Sequence, residues 1–299
     1  MKSEITPIFV VGTGRSGTTV MRKLLGSHLN VSTFNKELRF IGDPGGLLDL
    51  KRAILDEWDP FVADSAIKSF ISVYLNCFGS SGFFKVQLSK FRRLLQKNIV
   101  FQLGQYNGLL LSLNLETQKR AETALNNFLN DLGINSFKGT WIGAKRFGYV
   151  PTMFDIAEID LNQFQSASQN LMQSLFANSD YDINNYWVDD TPLNILKADR
   201  LIEIFPNAKF ILMTRILENV SASYEKFSWG GRDKSTITNN VKRLSDNIQR
   251  QKEMLSKRAI HQIELKELSN NPKETILKLS EFLNIENNFD LSIVRSGKF

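Results

Sequence analysis

The sequence predicts an α/β fold in which helices flank a central parallel β-sheet. Residues 8–11 form an apolar run that is followed by a glycine-containing loop and then by helical spacing of apolar residues. Residues 210–213 form a second short run that is apolar on both faces, as a central strand of a parallel sheet requires. Further strand–helix pairs follow one another along the chain, an alternation typical of parallel sheets. Ligands of such sheets bind beyond the carboxyl ends of the strands, so we expect the functional residues there.

The composition is that of a globular protein with an anionic ligand. The chain has 299 residues, 42% of them hydrophobic, and a net charge of +6. Its lysines and arginines are scattered rather than gathered into a basic tail or a basic–aromatic pattern, so we expect no nucleic-acid partner. The single cysteine, Cys77, excludes an intramolecular disulfide and a cysteine-based zinc cluster. Residues 1–7 contain no apolar leader and no run reaches about 18 apolar residues, so we expect a cytoplasmic protein without a membrane span.

The loop after the first strand, residues 12–19 (GTGRSGTT), has the outline of a phosphate-binding loop. Gly14 and Gly17 allow the backbone to wrap closely around an oxyanion, and the following helix supplies backbone N–H groups. Thr18 lies where a P-loop nucleotidase has its lysine, so the loop favours an anionic nucleotide other than ATP or GTP. Arg15 supplies the positive charge instead. The candidate ligands of this P-loop-like site are Gly14, Arg15, Ser16, Gly17, Thr18 and Thr19.

The remaining elements follow from helical or strand-like spacing. Apolar residues recur at helical steps from 20 to 29, and a short strand or turn covers 31–34. A mostly helical insertion comes next, at about 45–140. The second half is predicted to contain a helix at 161–176, a strand at 186–188, a helix at 192–205 capped by Thr191, the strand at 210–213, helices at 218–227 and 237–255, a strand at 260–265, and a last helix from Pro272 with Asn271 as cap and Glu274 as capping-box partner. No repeat or flexible linker interrupts the chain, so we expect one domain over residues 1–299.

A second candidate for phosphate binding follows the strand at 210–213. Arg215 comes directly after this strand and therefore emerges at the ligand edge of the sheet. Ser223 lies eight residues further on, in the next predicted helix. An arginine and a hydroxyl that converge there can hold a second phosphate.

These stretches together resemble the sulfotransferases that use 3′-phosphoadenosine 5′-phosphosulfate (PAPS). The run at 15–19 is similar to the loop that grips the 5′-phosphosulfate in that family, and Arg215 with Ser223 is similar to the pair that grips the 3′-phosphate. Arg295 lies in a stretch similar to a basic C-terminal segment that contacts the 3′-phosphate in some members; the alternative is a frayed tail. Two positions depart from the family pattern: Asp190 lies where a lysine is common, and Ile216 where an acidic residue usually follows the arginine. The resemblance does not cover residues 45–140.

The resemblance implies in-line transfer of a sulfuryl group from PAPS to an acceptor hydroxyl or amine, without a metal. Arg15 is the candidate for stabilising the leaving oxygen. Glu37 is the candidate base, because residues 36–40 resemble the segment with the catalytic glutamate in heparan-sulfate and tyrosylprotein sulfotransferases. The alternative for Glu37 is a solvated acid or an ion-pair partner of Arg39. The two histidines, at 28 and 261, are expected to be mainly structural, with His28 as a second possible base.

Several alternatives stay open at this level. The chain could instead be a small-molecule kinase that uses ATP or GTP, or a non-catalytic module that binds a nucleotide. The acceptor could be a small molecule, a carbohydrate, a lipid or a peptide. Lys145 and Arg146 could meet an anionic group or form a solvated charge pair. The basic segment at 84–97 is either a solvated helix face or a surface for the acceptor or a membrane, and the phenylalanines at 78–101 either line a pocket or form core.

Overall fold

The computed structural model describes residues 5–78, 115–139, 153–176, 186–226 and 233–295. Within these ranges the strands are β1 (Thr6–Gly12), β2 (Val31–Thr33), β3 (Asn135–Lys138), β4 (Met153–Ile156), β5 (Tyr186–Asp189), β6 (Lys209–Thr214) and β7 (Ile260–Glu264). The α-helices are α1 (Thr18–Leu25), α2 (Leu47–Lys51), α3 (Pro60–Phe78), α4 (Leu115–Asp131), α5 (Leu161–Phe176), α6 (Ala198–Ile204), α7 (Leu217–Tyr224), α8 (Lys234–Met254), α9 (Leu265–Asn270), α10 (Pro272–Leu283) and α11 (Ser292–Arg295). A π-helical turn over Arg52–Asp56 follows α2, and a 3₁₀ helix over Pro192–Lys197 precedes α6.

The chain divides into two compact units. The first comprises residues 1–38 and 178–299, and the second comprises residues 39–177. The second unit thus spans the predicted insertion and the residues that follow it, up to the end of α5. The prediction of one domain over residues 1–299 stays a prediction.

The first unit is built on a five-stranded sheet with the order β2-β5-β1-β6-β7. All four neighbouring pairs of strands are parallel, with Phe9 opposite Asp189 and Val10 opposite Ile211. Helices follow β1, β5, β6 and β7 along the chain. The predicted α/β fold with a central parallel sheet is therefore confirmed. Because the strands are parallel, their carboxyl ends all lie at one edge of the sheet.

β1 is buried on both faces, which explains why its sequence is continuously apolar rather than alternating. Phe9 packs on one face in an aromatic cluster, with ring centroids 5.5 Å from Trp187, 6.3 Å from Phe205 and 5.3 Å from Phe210. Val10 belongs to a second core cluster, which includes the apolar residues of α1 and α10. The strand that leads into the predicted phosphate loop is thus fixed by packing from both sides.

The second unit contains α2 to α5 and a β-hairpin of β3 and β4. The unit contains an aromatic cluster in which the ring of Tyr74 lies 4.9 Å from that of Phe40 and 4.8 Å from that of Phe78. All three rings are buried, as is Cys77. Of the two interpretations offered for the phenylalanines of this region, Phe78 fits the core.

Several predicted features fall outside the described residues: the basic segment at 84–97, the phenylalanines at 83, 84, 91 and 101, and the pair Lys145 and Arg146. Among the helices that are described, none combines the length with the apolar character needed to cross a bilayer.

Two predicted helix caps lie at the predicted positions, but neither makes a side-chain hydrogen bond to its helix. Thr191 makes no side-chain cap for the following helix, because its hydroxyl donates to Asp189 Oδ1 over 2.9 Å. The predicted helix at 192–205 accordingly begins as a 3₁₀ turn before α6. Asn271 also makes no side-chain cap. It joins α9 to α10, and its N–H donates to the carbonyl oxygen of Glu267. Its backbone lacks the extended conformation that is typical of an N-cap. Glu274 pairs instead with Lys278, one turn further along α10.

Phe9→Ala should lower the free energy of unfolding of the first unit by about 3–5 kcal/mol, because it leaves a cavity between three aromatic rings. Urea unfolding is the measurement. Leu29→Ala is the matched control: Leu29 lies beyond the end of α1 and is 89% exposed, so its loss should change stability by less than about 0.5 kcal/mol. Similar losses in the two variants would contradict the central place of β1 in the core.

Candidate functional site

The residues singled out by the sequence lie at the carboxyl edge of the parallel sheet. The loop 13–17 follows β1, Glu37 follows β2, Asp190 follows β5, and Arg215 follows β6. These strands are neighbours in the sheet. Residues separated by up to 200 positions in sequence are therefore brought to one edge.

The loop after β1 has a left-handed backbone at three positions. The φ angles are 74° at Gly14, 55° at Arg15 and 100° at Gly17. A Cβ atom at Gly14 would lie 2.7 Å from the hydroxyl of Tyr224, and one at Gly17 would lie 2.7 Å from a methyl group of Leu265. The left-handed backbone therefore favours glycine at both positions, and a Cβ atom at either would require the neighbouring side chain to shift.

The loop offers hydrogen-bond donors. Ser16 is fully buried, and its hydroxyl has no hydrogen-bond partner among the described residues. Gly17 is the N-cap of α1 and has no side chain with which to cap the helix. The N-terminus of a helix carries unpaired N–H groups and a partial positive charge. A phosphate or sulfate group fits this arrangement, because its oxygens can accept these hydrogen bonds.

The loop is in direct contact with the second predicted motif. Arg15 Nε donates to Ser223 Oγ over 2.9 Å, and Arg215 Nη1 donates to the carbonyl oxygen of Arg15 over 3.2 Å. The next residue of α7 also contacts the loop: the hydroxyl of Tyr224 donates to the carbonyl oxygen of Thr13 over 2.7 Å. The two motifs that the sequence predicts to bind phosphate thus lie side by side.

The pKa of the Tyr224 hydroxyl is affected by the charges of Arg15 and Glu37. Burial raises the pKa of Tyr224; the positive charge of Arg15 opposes the rise and the negative charge of Glu37 adds to it. The charges of the candidate base and of the candidate arginine therefore both act on this hydroxyl. The sequence interpretation missed Tyr224, and only its place beside Ser223 could have drawn attention to it.

Asp189 is a buried carboxylate at the end of β5. Its Oδ1 accepts hydrogen bonds from the N–H of Leu38 (2.7 Å) and from the hydroxyl of Thr191 (2.9 Å), and its Oδ2 accepts one from Asn194 (2.8 Å). Burial raises the pKa of Asp189 to about 7, and the charges of Asp190 and Glu37 contribute to the rise.

Asp190 forms a buried ion pair with Arg22 of α1. The distance from Arg22 Nε to Asp190 Oδ2 is 3.1 Å, and the two side chains are 7% and 4% exposed. Burial raises the pKa of Asp190, and Arg22 partly opposes this rise. The carboxylate that takes the place of a lysine thus has a cationic partner. The signal in the sequence was an arginine between Met21 and Leu24 on the buried face of α1.

The comparison with known proteins decides the family. The family model described as "Sulfotransferase family" matches residues 7–59 and 129–290, which is more than half of the chain. The chain belongs to the sulfotransferase family.

Solved structures similar to this sulfotransferase include the sulfotransferase domain of the curacin biosynthetic pathway, with 18% identity, coverage of 98% of this chain and 79% of that chain, and a TM-score of 0.49. Another is the sulfotransferase domain of the Synechococcus PCC 7002 olefin synthase, with 14% identity, coverage of 98% and 78%, and a TM-score of 0.47. A third is a sulfotransferase from Alicyclobacillus acidocaldarius, with 11% identity, coverage of 96% and 85%, and a TM-score of 0.44. A comparison with curated protein sequences finds no match.

A cleft of about 330 Å³ opens beside Arg215 in the sulfotransferase. It lies beyond the carboxyl ends of β6 and β7 and is lined by Arg215, Ile216, Asn219, Glu264, Leu265, Lys266 and Ser269. Ile216, the departure from the family pattern, is half exposed at this cleft. The cleft therefore adjoins the predicted site for the second phosphate.

The other candidates lie in different settings. His28 is buried; its Nδ1 accepts from the N–H of Asn30 and its Nε2 lies 3.0 Å from the carbonyl oxygen of Glu286, an arrangement typical of a neutral structural histidine. The ring of His261, which lies in β7, stacks on the ring of Phe282 in α10. Arg39, the alternative partner of Glu37, donates to Asp43 over 2.7 Å. The backbone of Arg295 ends α11, and its side chain is outside the described structure.

Asp189→Asn should flatten the pH dependence of folding stability. The folded-state pKa of about 7 lies above the ordinary value of 3.8, so the folded protein binds this proton more tightly than the unfolded chain does. The stabilisation is complete below the ordinary pKa and is lost as the pH rises through about 7. Urea titrations across this window should show the wild type losing up to a few kcal/mol and the variant losing less. If the free energy of unfolding changed equally with pH in the wild type and the variant, the raised pKa of Asp189 would be contradicted.

Proposed function

We propose that this sulfotransferase takes its sulfuryl group from PAPS and transfers it to a hydroxyl or amine of a small-molecule, carbohydrate or peptide acceptor. The observation that carries the proposal is the contact of Arg15 with both Arg215 and Ser223. The 5′-phosphosulfate and the 3′-phosphate of PAPS are attached to the same ribose. Groups that bind them must therefore lie side by side, as these two motifs do.

The 5′ end of the nucleotide is assigned to the loop after β1. Ser16 contributes a buried hydroxyl, and Thr18 and Thr19 begin α1, where the helix presents its N–H groups. Gly14 and Gly17 allow the backbone to approach the oxyanion closely. No lysine is needed here, because Arg15 contributes the positive charge from within the loop.

The 3′-phosphate is assigned to Arg215 and Ser223, with the nucleoside in the adjoining cleft. A guanidinium binds phosphate through two parallel hydrogen bonds, and a hydroxyl adds a third. Both side chains already form hydrogen bonds with Arg15. Binding of the nucleotide would exchange these bonds for bonds to phosphate. Arg295 is proposed as a further contact from the C-terminal segment.

PAPS supplies a sulfuryl group that is already activated, so the protein has to position the reactants and handle one proton. The acceptor oxygen or nitrogen forms the new bond to sulfur while the bond from sulfur to the phosphate oxygen breaks. Glu37 takes the proton that the acceptor loses. Arg15 stabilises the negative charge that develops on the leaving oxygen. Adenosine 3′,5′-bisphosphate (PAP) and the sulfated acceptor are the products.

A metal is not part of the proposal. In the described part of the chain, no group of three or more His, Cys, Asp or Glu side chains is placed to hold a metal ion. A kinase that uses magnesium and ATP would need a loop lysine for the nucleotide phosphates, and Thr18 occupies that position. The membership of the sulfotransferase family also favours sulfuryl transfer over phosphoryl transfer.

Arg215→Ala should weaken the binding of PAP by about 10- to 100-fold, because it removes a charge-assisted bond to phosphate. Binding of PAP is measured by calorimetry with EDTA present, and a separate titration with magnesium-ATP in buffer without EDTA should show no binding. AMP, which lacks the 3′-phosphate, should lose little affinity in the variant. Arg250→Ala, which removes an exposed arginine of α8, is the charge-matched control. If the wild-type protein did not bind PAP, the proposal of PAPS as the donor would be overturned.

Glu37→Gln should abolish transfer from radiolabelled PAPS while leaving the affinity for PAP within about twofold, because the amide cannot accept the proton. A panel of phenols, sugars, lipids and peptides serves as acceptors for the wild type. Undiminished turnover by the variant with an acceptor that the wild type uses would rule Glu37 out. Loss of PAP binding would instead assign Glu37 to the nucleotide site.

A further inference from the structure

Residues 34–38, the segment that contains Glu37, form hydrogen bonds at both ends with buried ionisable side chains. At one end, Arg22 Nη1 donates to the carbonyl oxygen of Phe34 over 3.0 Å, and Arg22 Nη2 donates to Asn35 Oδ1 over 3.1 Å. At the other end, Asp189 Oδ1 accepts from the N–H of Leu38 over 2.7 Å. The segment from 34 to 38 follows β2 and has no helical or strand pairing of its own. These three bonds join it to α1 and to β5.

We infer that Asp189 and the pair Arg22–Asp190 are positioning residues that hold the carboxylate of Glu37 at the site of proton transfer. The inference rests on the proposed role of Glu37 as the base. None of the three residues is assigned a contact with donor or acceptor. They act through the backbone of the segment that carries Glu37.

The bond to Asp189 acts directly on Glu37, because the N–H of Leu38 belongs to the peptide group that joins Glu37 to Leu38. A change in the direction of this peptide group rotates the backbone from which the Glu37 side chain projects. The bond is fully buried, and a hydrogen bond is electrostatically stronger in the protein interior than in water. Thr191 and Asn194 hold the carboxylate of Asp189 in turn, so the anchor itself is fixed.

Asp190 acts on the segment through Arg22. Its carboxylate pairs with Nε of Arg22, and the other two nitrogens of the guanidinium are then directed at Phe34 and Asn35. The guanidinium spreads its donors over three nitrogens, so one arginine side chain can pair with the charge of Asp190 and donate to both Phe34 and Asn35, which the single nitrogen of a lysine cannot do. A buried ion pair adds little net stability, so its use here is to fix a geometry. This gives a reason for an aspartate at 190, where a lysine is common in the family.

The test uses two independent variants and one rescue. Asp189→Ala removes the acceptor for Leu38, whereas Asp189→Asn keeps an oxygen for that bond. Arg22→Lys keeps the charge beside Asp190 but cannot reach both Phe34 and Asn35. Tyr186→Phe is the matched control, because it deletes a hydrogen bond to the carbonyl oxygen of Leu283 from the opposite end of β5.

Three quantities are measured in each variant: the affinity for PAP, the hydrogen exchange of the peptide that covers residues 34–38, and the hydrolysis of radiolabelled PAPS. In the hydrolysis, water is the acceptor: its oxygen bonds to sulfur, the bond from sulfur to the phosphate oxygen breaks, and Glu37 takes the proton. Asp189→Ala and Arg22→Lys should speed the exchange and lower kcat by about 10- to 100-fold, with KM and the affinity for PAP within about threefold. Asp189→Asn should recover most of kcat, and Tyr186→Phe should keep all of it.

Unchanged kcat in both Asp189→Ala and Arg22→Lys would overturn the inference, and if Asp189→Ala does not fold, Arg22→Lys alone decides it. Loss of kcat together with an equal loss of PAP affinity would also overturn it, because the residues would then support the fold of the whole site. Glu37→Gln separates this result from a failure of the proposed function. If Glu37→Gln hydrolyses PAPS at the wild-type rate, the base is wrong; if it is inactive while the positioning variants are fully active, only the positioning is wrong.

Discussion

The left-handed backbone of the loop after β1 is the constraint on which the rest of the site depends. Gly14, Arg15 and Gly17 all have positive φ angles, so the chain can turn from a central strand into α1 within five residues. The turn exposes backbone carbonyls, and the side chains of Tyr224 and Arg215 donate to two of them. The placement of Arg215 and of α7 beside the loop therefore depends on the tight turn that the loop makes.

Buried charge is the second organising feature of this edge. Asp189 and the Arg22–Asp190 pair lie almost completely out of water, where an unpaired charge is costly. Their described contacts end on the segment 34–38 or, for Asp189, also on the neighbouring Thr191 and Asn194. Neutral side chains of similar volume would pack at least as well. Polar groups retained in such a place are therefore better explained by the geometry that they impose than by stability.

The sequence predicts most of the sheet correctly and less of what surrounds it. β1 and β6 were identifiable because a strand that is buried on both faces has to be apolar throughout. The loop could be recognised because its glycines serve local conformational needs. Local preference favours Thr191 as a helix cap, but its hydroxyl instead donates to the carboxylate of Asp189, two residues earlier in the chain. The Arg22–Asp190 pair spans 168 positions, and no local pattern encodes such a partner.

Arg15 carries a left-handed backbone without being a glycine. For a residue with a Cβ atom this conformation costs about 1–2 kcal/mol. A glycine at position 15 would relieve that strain and would delete the guanidinium that contacts Ser223. Selection for thermostability alone would therefore favour the loss of this side chain, whereas selection for activity would retain it. At position 15 the residue that favours stability therefore differs from the residue that favours activity, and variants ranked by melting temperature alone would favour glycine there.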